Sequence, residues 1–219
     1  MLRKSTRVLD APAYVLHATP WRETSLLIKV FTRDHGLLLM AAKGAKRPYS
    51  GLRAVLSVFQ PTQLSWAGRN EVRTLMRAES VGALNLSGQM LMSCWYMNEL
   101  LLKSLPKEDP HPRLFDAYDR ALRQLACGVS THRVLREFEW LFLQEAGYGL
   151  DEPMPDFEDP ASLSQTKKDL RQRIIKHFDL DELTTRDVLM SLQPFLSNKT
   201  ALATNLASNL TTHETQDEA

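Results

Sequence analysis

The spacing of apolar residues changes near residue 83, and this change constrains the fold more than any other feature of the chain. Before it, apolar and polar residues alternate. In "TSLLIKVFT", Leu26, Ile28 and Val30 fall on one face and Leu27, Lys29 and Phe31 on the other, which is the period of a β-strand. "AYVLHA" precedes this segment, "GLLLMAA" follows it after the turn "RDHG", and "VFQPTQLSW" and "VRTLMRAES" come next, joined by "AGRN". Five short strands, with room for a helical turn or two ("LRAVLS") between the third and fourth, are the layout of an OB-type barrel. An SH3-like barrel carries a similar pattern.

After the change, apolar residues recur every three or four positions. Met90, Cys94, Met97 and Leu101 stand at i, i+4, i+7 and i+11, and Leu91, Trp95 and Leu102 widen the stripe. A helix apolar over so much of its circumference belongs at the centre of a bundle. "HPRLFDAYDRALRQLACG" and "STHRVLREFEWLFLQEAGYG" read as two further helices with Gly128 and Gly147 as stops. A proline-broken loop, "DEPMPDFEDP", leads to two more helical segments, "SLSQTKKDLRQRIIKHF" and "TTRDVLMSLQPFLSNK". The expectation is an α+β chain: a five-stranded OB-fold over residues 1–82, a helical domain over 83–212 and a disordered tail over 213–219.

The same boundary divides the charge. The net charge of +1 conceals 13 Lys+Arg against 5 Asp+Glu in residues 1–82, and 14 against 21 in residues 83–219. A barrel of net charge +8 points to a polyanionic partner. The two cysteines, Cys94 and Cys127, form no CxxC pair, which gives no basis for a thiolate zinc site and fits a reduced, cytoplasmic protein. No run of some 18 apolar residues is present to span a membrane. GxSxG, HExxH, the phosphate-binding P-loop and a dinucleotide-binding GxGxxG are all missing, and the six histidines are scattered. A binding protein without catalytic residues, metal or cofactor is expected.

Two constellations stand out. The segment "AAKGAKRPYSGLR" supplies Lys43, Lys46, Arg47 and Arg53 for phosphates, glycines that allow close backbone approach, and Tyr49 for stacking on a base. Arg73 and Arg77 stand an even step apart on the fifth strand and so are expected on one face, with Arg69 in the turn before them. The alternative is a solvated barrel exterior. On the third long helix, Arg133, Arg136, Trp140 and Leu143 form a narrow stripe, basic at one end and apolar at the other. It suits a short acidic and hydrophobic peptide. Equally, Trp140 suits packing against the barrel, with the arginines flanking it.

The blocks "HATPWRETSLLIKVFTRDHGLLLMAAKGAKRP", "VFQPTQLSWAGRNEVRTLMRAE", "YMNELL" and "LREFEWLFLQEAGYGL" lie in order across residues 13–150 and together resemble the bacterial recombination-mediator family RecO. That resemblance implies an N-terminal OB-fold and a C-terminal helical domain. It also implies binding of single- and double-stranded DNA, annealing of complementary strands, and help in loading RecA onto DNA coated by single-strand-binding protein (SSB), all near the nucleoid. RecR, and in many species RecF, are the implied partners. The family holds the acidic, phenylalanine-ended SSB tail on its helical domain. The segment around Arg136 matches that motif best, with Arg120 and Arg123 as neighbours. The four-cysteine zinc module of many relatives has no counterpart here, and the basic helix end usual after residue 150 is replaced by "SNK". An adaptor whose barrel contacts only protein, and a metal-dependent nuclease, are the competing readings.

Overall fold

The computed structural model describes residues 7–149, 153–157 and 159–178. Five strands form a closed barrel: β1 (Arg7–Trp21), β2 (Ser25–Thr32), β3 (Gly36–Ala42), β4 (Pro61–Ala67) and β5 (Val72–Ser80). β1, β2 and β3 pair antiparallel in sequence order. β5 runs parallel to β3, and β4 closes the ring between β5 and β1. A single-turn helix, α1 (Leu52–Val55), lies between β3 and β4. This is the OB arrangement, as the strand count and the helix position lead one to expect.

Alternation fills the barrel. Ala13, Val15, Ile28, Val30, Met40, Ala42, Leu64 and Trp66 all point into one core and are at most 3% exposed. Closure leaves this core no open sheet edge over the paired length, which is why short strands suffice.

Part of the outer face is buried too. Ala13, Tyr14, Val15 and Leu16 are consecutive and all buried, a pattern that arises only where a strand is covered on both sides. The cover is helical: α2 (Gln89–Ser104), α3 (Pro112–Ala126), α4 (Thr131–Glu145) and α5 (Pro160–Phe178). Tyr14 and Phe31 leave the barrel to meet Phe115 and Tyr118 of α3 at ring separations of 5.2–6.3 Å. Phe138 and Phe142 of α4 extend the aromatic cluster.

Polar groups inside this second core are matched. The Tyr118 hydroxyl donates to Asn98 Oδ1, and Asn98 Nδ2 donates to the Leu16 carbonyl at 2.8 Å. Tyr14 donates to Asp119. Burial, reinforced by that carboxylate, raises the Tyr14 pKa far above the usual phenol value, so it remains a donor. Barrel and helices thereby form one compact unit.

Among the described residues no helix is long and apolar enough to cross a membrane, and no group of three His, Cys, Asp or Glu side chains gathers to hold a metal. The expected helix "TTRDVLMSLQPFLSNK" and the tail over 213–219 lie outside the described residues.

Candidate nucleic-acid interface

The basic segment after β3 is a built turn. Gly44 takes φ +74, where a side chain would be strained, and the turn closes with Arg47 N–H donating to the Gly44 carbonyl at 3.1 Å. Ala45, fully buried, is driven into the barrel core and pins the segment from within. Leu56, with Leu52 beside it, closes the same end from α1. Between these anchors Lys43, Lys46, Arg47 and Arg53 all project into solvent. None of the four forms an ion pair among the described residues. Tyr49, at φ +63, is fully exposed and does not pack beside Pro48.

A neighbour joins them that the residue pattern alone did not single out. Lys46 N–H donates to the Thr24 carbonyl at 2.9 Å, which locks the segment onto the β1–β2 turn. That turn carries Arg22, whose guanidinium lies 4.4 Å from the centre of the Trp21 ring. "PWRE" in the sequence offers a weak signal for this, an aromatic beside a cation, but it is the pairing of β2 with β3, Leu26 opposite Ala42, that brings this turn to Lys46.

The arginines of the fifth strand behave differently. Ser65 opposes Arg77 while Trp66 opposes Leu75, so Met76 is the extra residue of a β-bulge. The even-step expectation for Arg73 and Arg77 therefore fails, because one inserted residue turns the alternation over. The Arg73 side chain is 11% exposed, donates to Glu108 at 2.7 Å and to the Asn70 carbonyl, and ties β5 to the α2–α3 loop. Arg77 is exposed but pairs with Glu79 and, at 3.7 Å, with Asp10. Arg69 is exposed in the β4–β5 turn. Since Arg73 is level with Met40 of β3, that turn lies toward the Gly36 end of the barrel, on the order of 20 Å along the strand from Lys43. The structure thus gathers Lys43, Lys46, Arg47, Tyr49 and Arg53 and leaves Arg69 and Arg73 apart.

On the helical side, Arg136 is 11% exposed and donates to Glu139 at 2.7 Å, and Glu139 also accepts from the Tyr96 hydroxyl. Arg133 pairs with Glu137 one turn on, at 2.7 Å. Trp140 is half-buried, and its indole Nε1, shielded from solvent, has no partner among the described residues. Leu143, expected at the apolar end of the stripe, is instead 1% exposed and part of the core, because α4 buries that face beneath its neighbours. Arg123 is held by Asp119, the same carboxylate that accepts the Tyr14 hydroxyl hydrogen bond, and Arg120 is exposed beside Asp116. His132 sits at the start of α4, and its pKa is lowered, first by partial burial and then by Lys167 and Arg136.

Comparison with known proteins gives two family matches: the Recombination protein O N-terminal model over residues 7–84 and the Recombination protein O C-terminal model over residues 86–152. The DNA repair protein RecO of Cupriavidus pinatubonensis is 55% identical over a region covering 68% of this chain and 51% of that protein. That of Azoarcus sp. is 53% identical over 66% of this chain and 60% of its own length. A third, from Ralstonia nicotianae, is 40% identical over 87% of each chain. The chain therefore spans about half to three-fifths of the first two relatives and most of the third.

Proposed function

The chain belongs to the Recombination protein O (RecO) family, whose matched members are DNA repair proteins, and from this premise we propose that it is a non-catalytic DNA-binding mediator of recombinational repair. It binds single- and double-stranded DNA, anneals complementary strands and assists the loading of RecA onto SSB-coated single strands, working with RecR and, where present, RecF. The observation that carries this reading is the hydrogen-bonded turn at one barrel end, with Lys43, Lys46, Arg47 and Arg53 projecting unpaired beside an exposed Tyr49. Unpaired cations release counterions from a phosphate backbone without first breaking a protein ion pair. An exposed tyrosine in their midst offers a stacking surface that tolerates any base. The half-buried face of Arg133, Arg136 and Trp140 supports a second contact, with the acidic, phenylalanine-ended tail of SSB. There Arg133 and Arg136 are each held by a glutamate of the same helix, so an incoming carboxylate would exchange with Glu137 or Glu139 beside the Trp140 ring.

The test is the salt dependence of binding to single-stranded oligonucleotide. Each phosphate contact contributes about 0.7 to the slope of log affinity against log salt. Lys46→Ala with Arg47→Ala is expected to reduce the slope by about 1.4 for every sequence alike. Arg73→Ala, whose charge is already committed to Glu108, is expected to leave it unchanged. An unaltered slope in the double variant would exclude this turn from the interface.

A further inference from the structure

The β1–β2 turn holds an aromatic and a cation that the phosphate contacts of the basic turn leave unused. Trp21 pairs with Ser25, so Arg22, Glu23 and Thr24 alone reverse the chain. Arg22 takes φ +55, the left-handed region that favours glycine. Its guanidinium carbon lies over the face of the Trp21 ring, 4.4 Å from the centre.

Arg22 is exposed, while Trp21 is half-buried. Among the described residues Arg22 makes no hydrogen bond and no ion pair, not even with Glu23 beside it. Its donors are therefore in water, and the indole is what holds the group in place. The bond from Lys46 N–H to the Thr24 carbonyl fixes this turn beside the basic one.

This arrangement selects a ligand. A guanidinium is planar and weakly hydrated, with its donors in the plane and a flat surface above and below. A lone phosphate or carboxylate uses the donors and leaves the flat surface idle. An unpaired base still joined to its phosphate uses both: the base stacks on the plane and the phosphate takes the donors. In a duplex each base face is covered by the next base pair, so a duplex brings its phosphates but no face to stack. We infer that Arg22, held over Trp21, stacks an unpaired base of a bound single strand and so favours single strand over duplex at this end of the barrel. The inference rests on the DNA-binding reading and adds a cationic stacking platform to the one that Tyr49 offers.

The experiment uses the full chain and fluorescence anisotropy with labelled probes about 15 nucleotides long, within the site sizes of OB folds. The probes are a mixed-sequence single strand, its duplex, and an abasic strand with the same number of phosphates. Arg22→Lys keeps the charge and loses the plane; Trp21→Leu keeps the charge and loses the ring beneath it. Each is expected to weaken binding of the base-bearing single strand about tenfold, near the low end of what one stacked base contributes, with the salt slope unchanged. Duplex and abasic affinities are expected to stay as they are. Lys46→Ala with Arg47→Ala separates this inference from the reading beneath it. A reduced slope in that double variant, with single-strand affinity unchanged in both Arg22→Lys and Trp21→Leu, overturns the platform and leaves the basic turn standing. An unaltered slope there, with the tenfold loss present in Arg22→Lys, removes the basic turn and keeps the platform. Equal losses on the base-bearing and abasic strands overturn the inference, since Arg22 then meets phosphate alone. No binding of any probe by the unaltered chain overturns both.

Discussion

Three glycines allow the docking of the α2–α3 loop to be weighed. Gly51 has an ordinary helical φ of −63 and open space where a Cβ would lie. Gly128 also has open space but takes φ +78. Gly36 takes φ +65, and its Cβ would stand 2.2 Å from the Asp109 carbonyl oxygen and 2.6 Å from the Asp109 nitrogen. Replacement by alanine therefore adds one physical cost at a time. Gly51→Ala is expected to be neutral or to stabilise by a few tenths of a kcal/mol, since it only restricts the unfolded chain. Gly128→Ala adds the left-handed strain alone, about 1 kcal/mol. Gly36→Ala adds a collision with backbone that no side-chain rotation relieves. The loop must withdraw, which gives up the Glu108–Leu37 backbone bond at about 1 kcal/mol and the Arg73–Glu108 contact at about the same, given that Glu108 is half-exposed. The total is about 3–4 kcal/mol. Urea denaturation followed by far-UV circular dichroism measures all three, with the m-value as a check on two-state behaviour. A Gly36→Ala loss no larger than that of Gly128→Ala would show that the loop is not seated on β3.

Two further outcomes follow from ion pairs. Arg33 grips both oxygens of Asp116 at 2.9 Å, joining the β2–β3 turn to α3, and this hydrogen bonding holds the Asp116 pKa below the ordinary carboxyl value. The pair's contribution to stability is therefore present above that ordinary value and is lost as pH falls through the lowered one. Asp116→Asn is expected to flatten the acid side of the stability–pH curve, below the ordinary carboxyl value, and an unchanged curve would remove the pair from the account. On α4, Arg136→Gln keeps a donor to Glu139 but removes the charge. It is expected to weaken binding of a phenylalanine-ended acidic SSB-tail peptide about tenfold by calorimetry, and equal affinity would make the stripe structural.

Much of the fold was legible because its signals are local. The alternation around Ile28 and Val30 and the three-to-four spacing from Met90 to Leu101 depend only on near neighbours, and they define barrel strands and bundle helix whatever surrounds them. Gly128 and Gly147 end α3 and α4 for an equally local reason, the positive φ that each adopts. The basic turn was legible as charge, since Lys43, Lys46, Arg47 and Arg53 crowd into a stretch that contains no acid.

What the tertiary structure decided was the use of each charge and each face. Strand period assigned Arg73 and Arg77 to one surface, but a single bulged residue, Met76, moved them apart, and nothing in "VRTLMRAES" announces a bulge. Arg73 reads as a phosphate contact until Glu108, 35 positions along the chain, folds beside it. Leu143 reads as the tip of a peptide stripe until the neighbouring helices cover it. Periodicity tells a side chain which way it faces relative to its own backbone; whether water, a carboxylate or a helix waits there depends on chain returning from far away. The sequence alone therefore determined a barrel joined to helices and the excess of positive charge that the barrel carries. Docking of the α2–α3 loop and the neighbouring strands decided which of those cations are paired, as Arg73 is by Glu108 and Arg77 by Glu79 and Asp10, and which project into solvent.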